Sequence, residues 1–234
     1  MSAAFQIVLH AHLPFVRHPE NPYHLEENWF FEAIGETYLP LLEMLDRLAA
    51  EGVPTPLTVS LSQPLIAMLD DSLLRSRYVE HVDRLIELAE KETERLATDE
   101  EFGPVAQFYL ERFRHQRSLF VERYERDLVG AFDRLAQRTA LDLITCVGTH
   151  GFLPLMEHDA SRRAQIMTAA RQFEERFGRR AKGMWMGECA YWYGVEAYLA
   201  EAEVEYSFVD SHGIERAPNP PTFGVYQTVS SPRG

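Results

Sequence analysis

The sequence predicts an α/β fold, either a parallel sheet or a β/α barrel. Three observations lead there. Short β-rich runs recur along the chain and end in polar residues. Stretches with apolar residues at helical spacing separate them. The 234 residues are enough for one sizeable domain with its own core. Strands joined by helices favour parallel pairing, and in such folds functional groups gather beyond the C-terminal strand ends.

The first strand is residues 5–12, FQIVLHAH, closed by Pro14. Residues 27–52 place Phe30, Ile34, Tyr38, Leu41, Leu45 and Leu48 on one helical face; Pro40 should kink this helix and Gly52 end it. Residues 57–64, LTVSLSQP, are the second strand. Residues 78–96 are amphipathic through Val82, Leu85 and Ala89, and one further helix is expected over 105–137 along Phe113, Phe120, Tyr124, Leu128 and Phe132. Residues 142–148, 183–186 and 206–210 supply three more strands, with helices over 159–177 and 195–202 and a sixth strand expected near Val225. No repeat, low-complexity stretch or interdomain linker interrupts the pattern.

Composition narrows the function. Apolar residues make up 46% and charged residues 25%, as in a soluble globular chain. A formal net charge of -13 disfavours nucleic acid or anionic lipid as partners and suits a neutral or cationic ligand. Two cysteines, Cys146 and Cys189, are too few for a disulfide framework and suggest free thiols in a reducing compartment. The N-terminus lacks the basic start of a signal peptide, and no apolar run is long enough to cross a bilayer. A cytoplasmic protein with no membrane partner is expected.

The strand ends share a polar character. The first carries His10 and His12, the third Thr149 and His150, the fourth Glu188, and the fifth Asp210 and His212. Parallel neighbours would bring these groups to one rim. Two chemistries compete for it. His10 and His12, two apart on a strand, point the same way and could ligate one divalent ion with His150 and Asp210. The same short pattern also fits an inward imidazole bonded to a neighbour. Glycosyl transfer instead needs two carboxyl groups flanking the bond. Glu188, beside Trp185, Tyr191, Trp192 and Tyr193, fits its nucleophile, although an acidic residue at a helix start fits the same position.

LHAHLPFVRHPE (9–20), LITCVGTHGFLPLM (143–156) and GMWMGECAYWYGVEAYLAEA (183–202) resemble three sequence regions of glycoside hydrolase family 57. ENWFFEAIGETYLPLL (27–42) and YSFVDSHGI (206–214) are similar to its 1,4-α-glucan branching enzymes and α-amylase-like members. The resemblance implies an incomplete (β/α)7 barrel, here truncated, with a helical insertion over about 62–140 between the second and third strands. It implies a retaining enzyme acting on α-1,4-glucan, with no cofactor and no metal, in glycogen biosynthesis. It assigns Glu188 as nucleophile, and His10, with His12 beside it, and His150 to holding the sugar; Trp185, Tyr191, Asp210 and His212 are expected to join them in substrate binding.

The chain departs from the pattern at Gly187 and Tyr193, where the family often has proline, and at Asp142, where relatives usually have glutamate. The family's acid/base aspartate lies in a fourth region with no counterpart in these residues, and Asp210 precedes that region. The strand count also falls short of a closed barrel. The expectation is the N-terminal part of a longer enzyme, completed by a missing C-terminal portion. A non-catalytic glucan-binding remnant, an α-amylase or 4-α-glucanotransferase, and a metal-dependent hydrolase through His10 and His12 are the alternatives.

Overall fold

The computed structural model describes residues 5–231. Strands β1 (Ile7–Ala11), β2 (Leu57–Leu61), β3 (Asp142–Cys146), β4 (Gly183–Trp185) and β5 (Tyr206–Ser207) form one parallel sheet in sequential order. With its crossover helices this is an incomplete β/α barrel, as the alternation of elements predicts. The helices are α1 (Leu25–Ala33), α2 (Leu39–Ala50), α3 (Gln63–Asp70), α4 (Ser72–Arg95), α5 (Gly103–Ser118), α6 (Leu128–Arg138), α7 (Asp159–Phe177), α8 (Val195–Glu201) and α9 (Ser211–Glu215). Among the described residues, no helix is long and apolar enough to cross a membrane.

The chain forms two compact units. One takes in the described residues up to Leu13, Pro56–Leu65 and those from Ala140 onward; the other takes in Pro14–Thr55 and Ile66–Thr139.

In the sheet-bearing unit, register decides which residues share a face. His10 pairs with Ser60, Ser60 with Ile144, Cys146 with Trp185 and Gly183 with Tyr206. Alternation then sets Val8, His10, Thr58, Ser60, Asp142, Ile144, Cys146 and Trp185 on the inner face. On the outer face, Val147, Met184 and Met186 pack with Ile166 and Ala169 of α7 and Val195 and Leu199 of α8, all buried. Each of these Val, Met, Ile and Leu side chains contributes about 1.5–3 kcal/mol. β1 is an edge strand, and its outward Ile7 and Leu9 stay 48% and 37% exposed. At the N-terminal strand ends, Tyr206 reaches over Gly183 and its hydroxyl donates to Asp142 Oδ2 at 2.6 Å. A Cβ at position 183 would lie 2.5 Å from that ring, so glycine is what lets the tyrosine cross.

In the helical unit, α1 and α2 are joined by a π-helical turn, Ile34–Tyr38, in which Leu39 N bonds back to Ile34 O. The irregularity expected at Pro40 thus takes the form of a widened turn just before it. Proline brings no N–H, and the widened turn relieves the ladder. The Gly35 carbonyl accepts a bond from Gln116 Nε2 at 2.8 Å.

Two expectations are corrected. The helix over 105–137 is broken: α5 passes through a π turn, Leu119–Arg123, then Glu125 and Arg126 adopt left-handed φ values of 52° and 64°. Asp127 starts α6 afresh, its carboxylate accepting from Gly130 N at 2.9 Å. The aromatic period ran through the break and hid this cap. No sixth strand forms at Val225, which lies in a 3-10 turn, Gly224–Tyr226. The preceding Pro218, Pro220 and Pro221 cannot donate to a ladder.

The helical unit encloses an ion pair. Glu27, 1% exposed, accepts from Arg77 Nη1 at 2.6 Å and from His18 N at 3.0 Å. Removing one partner strands the other's charge. Glu27→Ala should therefore cost about 3–5 kcal/mol in denaturant unfolding, while replacing both residues with apolar ones of similar volume recovers most of the loss.

Candidate active site

Three imidazoles meet at the C-terminal end of the sheet. His10, one residue before the end of β1, faces inward, His12 follows it on the same face, and His150 comes from the loop after β3. His10 Nε2 lies 2.9 Å from His150 Nε2, and the His12 ring stacks on that of His150 with centroids 3.9 Å apart. Trp185, at the end of β4, stacks on His10 at 4.5 Å.

Serines in phase with the histidines orient them. Ser60 Oγ is 3.4 Å from Thr145 O and 3.2 Å from His10 Nδ1, and Ser62 Oγ is 2.9 Å from His12 Nδ1. The Ser60 hydroxyl donates to the carbonyl, so it accepts from His10 Nδ1–H. His10 Nε2 is then an acceptor, and His150 donates to it. Burial, with the repulsion of His150 second, lowers both His10 and His12 to about 4, so both rings are neutral near pH 7. Neutral imidazoles offer one donor and one acceptor each, which suits hydroxyl-rich ligands.

Glu188 sits on the turn after β4, within a short 3-10 segment, Gly187–Cys189. Glu188 and Cys189 both take φ 53°, and His150 takes φ 58°. Such conformations cost about 1–3 kcal/mol each in non-glycine residues and persist only where surroundings enforce them. The enforcement is visible. A Cβ at Gly187 would lie 2.5 Å from the Gly151 carbonyl oxygen and 3.2 Å from that of His150. The two turns are pressed together backbone to backbone. The His150 loop is held further by α7, where Gln165 Oε1 accepts from Thr149 N at 2.7 Å. The Glu188 carboxylate makes no hydrogen bond or ion pair among the described residues, and its charge acts on both Cys146 and Cys189. It is exposed, although aromatic residues flank it in sequence.

The remaining candidates divide. Trp192 packs against the outer core, with Arg162 5.6 Å from its ring. Tyr191 is 39% exposed and its hydroxyl donates to Glu196 Oε2 at 3.4 Å; Gly194 N donates to the same oxygen at 2.9 Å. Glu196, which the sequence did not single out, thus holds the aromatic turn. Asp210 caps α9, accepting from His212 N at 3.2 Å, and its carboxylate is 2.6 Å from His212 Nδ1; both residues are exposed. The metal set suggested by spacing is not what assembles: among the described residues the cluster of possible ligands is His10, Cys146 and His150. Burial pushes the Cys146 thiol up to about 12.

Comparison with known proteins adds to this geometry. The profile of glycosyl hydrolase family 57 matches residues 6–231. The chain is 31% identical over 240 residues to a 1,4-alpha-glucan branching enzyme of Thermococcus kodakarensis, covering 96% of this chain and 35% of that protein. The crystal structure of an alpha-amylase, AmyC, from Thermotoga maritima superposes with a TM-score of 0.94 at 39% identity, over 100% of this chain and 45% of that one. A GH57-type branching enzyme from Pyrococcus horikoshii gives 0.85 at 30% identity, over 91% and 43%. The chain thus spans less than half the length of these relatives.

Two outcomes follow from the site. Gly187→Ala forces the turns apart and should destabilise the protein by about 1–3 kcal/mol, with a changed Trp185 fluorescence as the ring stack shifts. The unfolded chain protonates each ring near 6.5, whereas the folded chain resists until about 4. Stability from His10 and His12 is therefore full above about pH 6.5 and lost as the pH falls toward 4. Urea midpoints measured across this window should fall, and fall less steeply in His10→Gln.

Proposed function

The chain belongs to glycosyl hydrolase family 57, and from that premise we propose that it is the nucleophile-bearing part of a retaining α-glucan enzyme, a 1,4-α-glucan branching enzyme of glycogen biosynthesis. Residues 1–234 are in this reading the N-terminal part of the catalytic barrel, with the stretch of about 62–140 as its helical insertion. Glu188 attacks the anomeric carbon of an α-1,4-linked glucan and forms a covalent glycosyl-enzyme. The glycosyl group then passes to a 6-hydroxyl of another chain. His10, His12 and His150 bind sugar hydroxyls, Trp185 and Tyr191 offer apolar faces, and Asp210 and His212 line the outer rim. The acid/base aspartate comes from the part of the relatives' length that this chain does not span.

The observation that carries the reading is the pairing of strained turns, which sets an unbonded carboxylate at the strand end next to that of the imidazoles. Backbone strain of this kind collects at functional sites. Hydrolysis is the second reading, favoured by the 39% identity to the alpha-amylase. The two differ in the acceptor, water in place of a glucan hydroxyl, and share every step up to the glycosyl-enzyme.

An α-glucosyl fluoride made slow to turn over by a further ring fluorine tests the nucleophile without its acid partner, because fluoride departs unprotonated. Mass spectrometry should find the glucosyl adduct on the peptide containing Glu188 and none in Glu188→Gln. An adduct elsewhere, or one that survives the substitution, refutes the assignment.

A further inference from the structure

Cys146 lies on the inner face of β3, and nothing in the glycosyl-transfer scheme uses it. Its sulfur and one ring nitrogen from each of His10 and His150 all lie within 4.8 Å of one another, and the two Nε2 atoms are 2.9 Å apart. We infer that His10, Cys146 and His150 form a binding site for a soft divalent cation of the zinc class, and that such an ion displaces sugar from the same imidazoles. The second half of this inference rests on the glucan reading above; the first does not.

The donor set is chemically apt, since thiolate and imidazole are the ligands such ions prefer. A tetrahedral ion at about 2.0–2.1 Å from nitrogen and 2.3 Å from sulfur needs nitrogens about 3.3 Å apart and each nitrogen about 3.6 Å from the sulfur. The imidazole nitrogens, 2.9 Å apart, must spread slightly. Three protein ligands leave the fourth position to water, as in an open site.

The surroundings favour capture. His10 is held by its Nδ1–H to Ser60 Oγ and by stacking on Trp185, which points the Nε2 lone pair, engaged by His150 in the absence of an ion, at the site. A hydrogen bond at the far nitrogen of this kind fixes the tautomer that binds metal. The His150 ring is clamped against His12. On ion binding the His150 Nε2 proton moves to its own Nδ1, and the Cys146 thiol proton goes to solvent. The formal charge of -13 and the Glu188 carboxylate acting on Cys146 both attract a cation.

The test is titration of the purified, metal-stripped chain with zinc chloride against a chromophoric chelator. One ion per chain is expected, with affinity weakened in Cys146→Ser and in His150→Ala by more than the roughly 10–100-fold that loss of an outer-shell partner costs, each checked for native circular dichroism. Cobalt chloride added to the unsubstituted chain should give a thiolate-to-cobalt charge-transfer band. Absence of stoichiometric binding, unchanged affinity in Cys146→Ser, or a cobalt spectrum without the band overturns the site. Maltopentaose should weaken zinc binding. If it does not while the zinc results hold, the shared-imidazole claim and the glucan reading of those rings fail and the cation site stands.

Discussion

The turn carrying Glu188 and the turn carrying His150 approach so closely that no side chain fits between them at position 187. The rest of the candidate site depends on this contact. It holds His150, Glu188 and Cys189 in left-handed backbone conformations. It also fixes where a carboxylate from β4 stands relative to an imidazole from β3. Packing of β3 and β4 on α7 and α8 supplies the stability that offsets the strain.

The inner face of the sheet shows how a parallel strand set becomes a polar site. One end is closed by the Tyr206–Asp142 bond over Gly183. At the other, serines on β2 and just beyond it hold histidines of the β1 segment, and Trp185 covers the layer. Burial keeps His10 and His12 neutral. The result is a set of oriented, uncharged donors and acceptors, better matched to hydroxyl groups than to a phosphate or carboxylate ligand.

Much of this was legible in the sequence. The strand-to-helix alternation fixed the α/β class, and α7 spans the 19 residues that its period marks. The histidines at strand ends were visible because parallel neighbours share a rim. Ser60 and Ser62 were overlooked, although LTVSLS carries polar residues at every second position in phase with His10 and His12. Gln165 and Glu196 could not be found this way, since their roles come from tertiary contacts of helices with strand-end loops. The break before α6 was hidden by an aromatic period that continued across it. The exposure of Glu188 is likewise set by tertiary contacts. Trp185 faces inward and Trp192 packs outward, so neighbours in sequence do not enclose it.

The central claim is that Glu188 and the imidazoles of His10 and His150 address one sugar ring. A crystal structure of the chain with a bound maltooligosaccharide tests it most directly. The account expects an anomeric carbon about 3–3.5 Å from a Glu188 carboxylate oxygen, with hydroxyls of the same ring bonded to His10 and His150. A sugar seated elsewhere, or a Glu188 carboxylate turned away from the ring that the histidines hold, contradicts it.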